Sequence, residues 1–223
     1  VWQQQYTGGN TNPDKIYMFN ARIGYATKSS VSAYFYKTTN SGVNWNMLDM
    51  NESFTDIKFI DSLTGWKCNG AMKKTTDGGL NWIDQPLPQT QFGSADMKRF
   101  SIINKDTIVG VGGRIGYPPS TLRGMVYITT NGGNVWGYQV PDTSFRIPQF
   151  YFINFVNKNA GWAYPEVSRG IHTKNGPDTI ITSIKQISGE IAKDIKLYQN
   201  YPNPFNPNTK INYEVRTADY VTL

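Results

Sequence analysis

The chain has 223 residues, 39% of them hydrophobic, 17% charged and 14% aromatic, with 21 Gly and 12 Pro. That is a globular, turn-rich composition, poorer in charge than the usual quarter and without the ~20 consecutive apolar residues of a membrane span. The formal charge of +6 is scattered rather than striped, which argues against a nucleic-acid partner, and one Cys with one His excludes an intrachain disulfide and a zinc centre.

Taken in chain order, the sequence repeats itself. Trp2 opens it, and Met18-Phe19-Asn20 leads to Gly24-Tyr25. Then comes a polar box, Thr38-Thr39-Asn40-Ser41-Gly42-Val43-Asn44-Trp45. The second repeat runs from Phe54 through Phe59, Asp61 and Gly65-Trp66 to the box Thr75-Thr76-Asp77-Gly78-Gly79-Leu80-Asn81-Trp82. Alternation and turn residues predict four strands here: Thr55–Ile60, Trp66–Asn69, Ala71–Thr76 and Leu80–Asp84. Asp77-Gly78 and Asn131-Gly132 provide the positive φ of a tight turn between the third and fourth strands.

The third repeat is blurred at Ile102-Ile103-Asn104 and Ile108-Val109-Gly110-Val111, and its box is Thr129-Thr130-Asn131-Gly132-Gly133-Asn134-Val135-Trp136. Between them Gly110 to Gly116 is glycine-rich, but it opens no helix that would cradle a phosphate. The insertion Gly112 to Gly124, with Tyr117-Pro118-Pro119, Arg114 and Arg123, reads as a loop, the usual location of binding residues on a rigid scaffold. The fourth repeat, Phe150 to Gly161-Trp162, ends in a decayed box, Thr173-Lys174-Asn175-Gly176-Pro177, and His172 reads as an ordinary strand side chain. Box spacings of 37, 54 and 44 residues are blade-sized. Four-stranded units in series predict an all-β propeller of about four four-stranded blades over residues 1–182, its six tryptophans in the core.

The boxes resemble Asp-box (BNR) repeats, shared by sialidases, sortilin ectodomains and related propellers. The longer pattern is similar to the propeller family of the photosystem II assembly and stability factor. The resemblance implies a structural role for Thr38, Asn40, Gly42, Trp45, Thr75, Asp77, Gly79, Trp82, Thr129, Asn131, Gly133 and Trp136, and puts the boxes at the blade periphery, away from the ligand face. Phe145-Arg146-Ile147-Pro148 resembles the sialidase motif whose arginine grips a substrate carboxylate. Here it follows three boxes instead of preceding them, and it reads first as the entry to the fourth repeat. A sialidase of that type also needs further arginines, a tyrosine paired with a glutamate and a separate acid.

After a linker at 183–196 the texture changes. Tyr201-Pro202-Asn203-Pro204-Phe205-Asn206-Pro207, followed by Ile211, Tyr213 and Val215, resembles the start of the type A C-terminal sorting domain of bacterial type IX secretion. Residues 197–223 are then the front of a small β-sandwich that continues beyond them. That resemblance implies the type IX machinery as a partner, and the outer surface or medium of a Gram-negative bacterium as destination. The expectation is an exported, non-catalytic propeller without cofactor or metal, for surface display or binding of a protein or glycan. Arg114, Tyr117, Arg123 and Arg146 are its candidate binding residues, and a sialidase-like glycoside hydrolase is the alternative.

Overall fold

Apolar residues alternate with polar ones over short stretches between Asx- and Gly-rich turns, and in the computed structural model every such stretch is a strand. The structure describes residues 12–29, 33–89, 93–117, 121–141, 146–167, 169–177, 196–197 and 213–214. The chain divides into two parts, Val1–Ser183 and Ile184–Leu223. In the first, the described residues form fifteen strands and no helix. Strands β1 (Lys15–Met18), β2 (Gly24–Lys28), β3 (Tyr34–Thr38) and β4 (Asn46–Asp49) make one antiparallel sheet in sequence order. The sheet of β5 (Asp56–Phe59), β6 (Gly65–Asn69), β7 (Ala71–Thr75) and β8 (Ile83–Gln85) repeats that order. So does the sheet of β9 (Gly93–Ile102), β10 (Ile108–Tyr117), β11 (Thr121–Thr129) and β12 (Gly137–Gln139). A fourth sheet holds β13 (Phe152–Phe155), β14 (Gly161–Tyr164) and β15 (Ile171–Thr173). The fold is an all-β propeller, each sheet a blade. The outer strand expected of the fourth blade lies outside the described residues.

Two turns clamp every blade. In the first hairpin an Asx side chain caps the turn: Asn20 Oδ1 accepts from Arg22 and Ile23 N–H, Asp61 Oδ1 from Leu63 and Thr64, Asn104 Oδ1 from Asp106 and Thr107, and Asn157 Oδ1 from Asn159 and Ala160. The box then folds onto that hairpin. Ser41 N–H donates to Arg22 O at 3.0 Å, Gly78 to Leu63 O at 2.8 Å, Gly132 to Asp106 O at 2.9 Å and Gly176 to Asn159 O at 2.7 Å.

Inside the boxes one buried threonine organises the turn. Thr75 Oγ1 donates to Asp77 Oδ1 (2.8 Å) and accepts from Gly79 N–H (2.9 Å), while Asp77 Oδ1 accepts from Leu80 and Asn81 N–H. Thr38 with Asn40 and Thr129 with Asn131 do the same. Gly78 and Gly79 have φ of 73° and 86°, which only glycine adopts without strain. Because Asp77 holds residues 80 and 81 in the turn, the outer strand starts at Ile83 and not at Leu80 as the sequence suggested. The box tryptophans therefore precede the outer strands. In the fourth box Pro177 has no N–H for the threonine to receive, and Thr173 Oγ1 donates to Gly176 O at 2.8 Å instead.

Blades pack face to face through three aromatic and aliphatic seams. Between the first two lie Tyr25, Phe35, Phe54, Ile57 and Phe59, with Tyr25 and Phe59 stacked at 4.6 Å. The Phe59 ring lies over Gly65, where an added Cβ would come within 2.5 Å of it. Lys67 is buried in the same seam, 2.9 Å from Glu52 Oε2 and over the rings of Phe35 (4.4 Å) and Trp82 (4.7 Å). Burial pushes its amine below the ordinary lysine range. Burial alone would raise the Glu52 carboxyl, but Lys73 and Lys67 hold it below its usual value. The second seam joins Trp66, Met72, Met97, Phe100, Tyr127 and Trp136, and the third Val109, Val111, Val126, Ile128, Phe150 and Ile153.

Not every tryptophan is core. Trp66 and Trp136 are buried, Trp45 and Trp82 are half-buried, and Trp162 is exposed, because a blade face is covered only where another blade lies against it. In the second part, β16 (Lys196–Leu197) and β17 (Tyr213–Glu214) pair antiparallel. The motif at Tyr201, Pro202, Asn203, Pro204 and Phe205 lies outside the described residues.

Candidate functional site

The segment from Gly112 to Gly124 is not a free loop. It is the extension of the β10–β11 hairpin, whose ladder runs out to Tyr117↔Thr121. Glycine-rich strands do this where other groups must come close: a Cβ on Gly112 would lie 2.5 Å from the backbone of Asp96 and Lys98, and one on Gly113 would overlap the Tyr127 hydroxyl. A bulge between Val111 and Arg114 gives β10 one extra residue, so Arg114 pairs with Gly124. By parity this turns the Arg114 side chain onto the face that Val111 and Val126 present to the fourth blade.

That face meets the 146–151 segment. Gly124 N–H donates to Ile147 O at 2.8 Å, Phe150 packs over Gly124 where a Cβ would clash, and Gln149 Nε2 donates to Gly112 O. The result is a cavity of about 340 Å³ lined by Arg114, Arg146, Gln149, Tyr151 and Glu166 together with Pro148 and Pro165. Tyr151 Oη donates to Gln149 Oε1 at 2.9 Å. Among the described residues, neither Arg114 nor Arg146 has an ion-pair or hydrogen-bond partner. Strand direction fixes where the cavity lies: β10 runs away from the box end toward Arg114, and β14 runs away from it toward Pro165, so cavity and boxes occupy opposite ends of the sheets.

Of the four candidate residues, the structure brings Arg114 and Arg146 together. Arg123 pairs with Ile115, which packs on the seam toward the second blade, so it faces away from the cavity, and its Nη1 donates to Leu122 O. Tyr117 ends β10, and its side chain lies outside the described residues. Gln149, Tyr151 and Glu166 carry no motif and come from irregular segments on either side of the β13–β14 hairpin. His172 is an exposed strand residue paired with Trp162.

Elsewhere the chemistry is quiet. Cys68 is buried, its thiol pushed up to about 12 by loss of solvent. Among the described residues no group of three or more His, Cys, Asp or Glu stands together as a metal site, and no helix is long and apolar enough to cross a membrane.

No family model matches the chain, and no curated protein matches it. Among solved structures, the chain is similar to the GH74 enzyme of Niastella koreensis, with a TM-score of 0.47 and 16% identity over 68% of this chain and 26% of that one. It thus spans about a quarter of that enzyme's length. It is also similar to YCF48 bound to D1 peptide, with a TM-score of 0.29 and 13% identity over 77% of this chain and 99% of that one.

Proposed function

We propose that the protein is an exported, non-catalytic binding propeller whose cavity at Arg114 and Arg146 takes an acidic group of a protein or glycan partner. One observation carries this reading: two guanidinium groups with no ion-pair or hydrogen-bond partner among the described residues open on one cavity, at the end of the sheets opposite the boxes. Arginine presents a planar fork to carboxylate or sulfate, and Tyr151 offers an apolar ring beside it. The resemblance of the 201–207 motif to a type IX sorting domain supports the export part.

The glycosidase alternative has its own observation, because Tyr151 and Glu166 share the cavity with both arginines. Against it, the Tyr151 hydroxyl is engaged by Gln149 instead of a carboxylate, and Arg123 faces elsewhere. Among the described residues Glu166 is the one acidic residue of the lining, whereas glycoside hydrolysis of that type divides its work between several groups.

The test is a binding panel of sialylated, sulfated, uronate-bearing and neutral oligosaccharides and acidic peptides on the purified chain, with a fluorogenic sialoside assayed in parallel. Acidic ligands alone should bind, and Arg114→Ala or Arg146→Ala should weaken them about 10- to 100-fold, as loss of one charge-assisted hydrogen bond implies. Equal binding of neutral and acidic ligands would refute the cavity's role. Sialoside turnover abolished by Tyr151→Phe would replace the binding reading with the hydrolase.

A further inference from the structure

The cavity at Arg114 and Arg146 holds charge of both signs. Glu166 lines it as well, yet among the described residues it forms no ion pair with either guanidinium and has no other partner. Three separate stretches of backbone keep these groups on their own walls. Arg114 lies in the β10 ladder, paired with Ser94 on one side and Gly124 on the other. Arg146 precedes Ile147, whose carbonyl accepts from Gly124 N–H at 2.8 Å. Glu166 follows Pro165, whose ring fixes its own φ, and Tyr164 just before it accepts from Tyr151 N–H at 2.8 Å through its carbonyl. All three charged side chains are exposed, so water solvates them in the free chain and their separation costs little.

The rest of the lining offers little neutral hydrogen bonding. Gln149, the one amide of the lining among the described residues, is engaged at both ends: its Nε2 donates to Gly112 O and its Oε1 accepts from the Tyr151 hydroxyl. Ile147, Pro148, Pro165 and Val167 are apolar. A sugar ring turns hydroxyls in every direction and would leave several of them against these four side chains without partners, a cost for each one buried. Acidic and basic side chains of a polypeptide suit the lining better, because their aliphatic stems lie on apolar surface and carry the charge at the tip.

We propose that the ligand of this cavity is a polypeptide segment in which an acidic residue stands beside a basic one, the carboxylate taken by Arg114 and Arg146 and the cation by Glu166. The proposal rests on the acid-binding reading of the two arginines and adds to it the sign of the neighbouring group. Glu166 is then the specificity residue. It attracts a ligand that carries one charge of each sign and repels one that carries two acids, which the arginines by themselves would favour.

Three peptides blocked at both ends, with glutamate beside lysine, glutamine or a second glutamate, are titrated calorimetrically into the full chain at low salt, where screening is weakest. Galacturonate is the sugar arm. The glutamate–lysine peptide should bind about three- to fivefold tighter than the glutamate–glutamine one, the scale of a single part-exposed ion pair. Glu166→Gln, at an exposed position, should erase that difference and let the double glutamate bind tightest, whereas Arg146→Ala should weaken all three. Equal affinity of the parent chain for the three peptides, a double glutamate that already binds it tightest, or a preference for lysine that survives Glu166→Gln overturns the proposal. Galacturonate binding tighter than every peptide, and lost in Arg146→Ala, overturns it too but leaves the acid-binding reading standing. No binding at all, or binding of peptides and sugar alike indifferent to Arg146→Ala, removes both.

Discussion

Replacing Thr75 by valine tests the account of the box most directly. The side chain is buried, and its hydroxyl makes three hydrogen bonds, donating to Asp77 Oδ1 and accepting from Gly79 N–H at 2.9 Å and, more weakly, from the part-exposed Asp77 N–H at 3.3 Å. Valine keeps the branched shape and removes all three. The buried Gly79 N–H is left without an acceptor, which costs about 1–3 kcal/mol, and loss of the bond to an ionised but exposed Asp77 adds about 1 kcal/mol. The total is about 2–4 kcal/mol. At about 2–4 °C per kcal/mol for a domain of this size, the melting temperature should fall by roughly 4–16 °C. Two controls isolate the mechanism. Thr75→Ser retains the hydroxyl and should cost under about 1.5 kcal/mol. Thr173→Val in the fourth box should cost about 1 kcal/mol or less, since Pro177 leaves no N–H to orphan. The assay is a thermal melt followed by near-UV circular dichroism. Thr75→Val and Thr173→Val melting together, or Thr75→Val matching Thr75→Ser, would refute the reasoning.

Three further outcomes follow from the seams and turns. The N–H and side chain of Asn81 hold the Asp77 carboxyl down at about 2, below its unfolded value. Its contribution is therefore present above about pH 4 and lost as pH falls toward 2, and the gap between the parent chain and Asp77→Asn should close over that window in melts at successive pH values. Glu52→Gln should cost about 3 kcal/mol in urea titration by leaving the buried Lys67 amine without a counter-charge, whereas Lys67→Met should be near neutral, with Lys73 still paired to Glu52. Cys68 should resist an aromatic disulfide reagent at pH 8 and react only at the rate of unfolding; rapid labelling of the folded chain would contradict its burial.

The blade pattern was legible because its causes are local. A Thr-x-Asx-x-Gly turn satisfies its own backbone within five residues, and the Asx caps at 20, 61, 104 and 157 act within three, so the side chains that build each turn lie next to one another in sequence. Where the next strand begins was harder to read: Leu80 and Trp82 alternate as strand residues do, yet Asp77 claims the N–H groups of Leu80 and Asn81. The Gly112–Gly124 segment looked like a loop because glycine is poor in strands. Its ladder forms because Tyr127 and the β9 backbone occupy the space a side chain would take, a tertiary fact. The same bulge separates Arg114 from Arg123 by changing parity, and no spacing rule in one sequence reveals a bulge. Trp66 and Trp162 have the same motif and opposite exposure, since burial of that position is decided by the following blade.

The seams also impose a timetable on synthesis. Tyr25 Oη donates to Gly78 O and Trp66 Nε1 to Gly132 O, each in the next blade's box, so these side chains are made 53 and 66 residues before the carbonyls they hold. While a ribosome is still adding the intervening residues, each donor face stands as a half-finished joint, sticky and aromatic, waiting for a turn that has not yet been translated. Growth is thus vectorial: every new blade closes the joint left by its predecessor and opens one of its own. A pause in translation between residues 79 and 132 would lengthen the life of one such joint without affecting the one already closed, so nascent chains stalled there should be held by chaperones at Trp66 and released once the third box emerges.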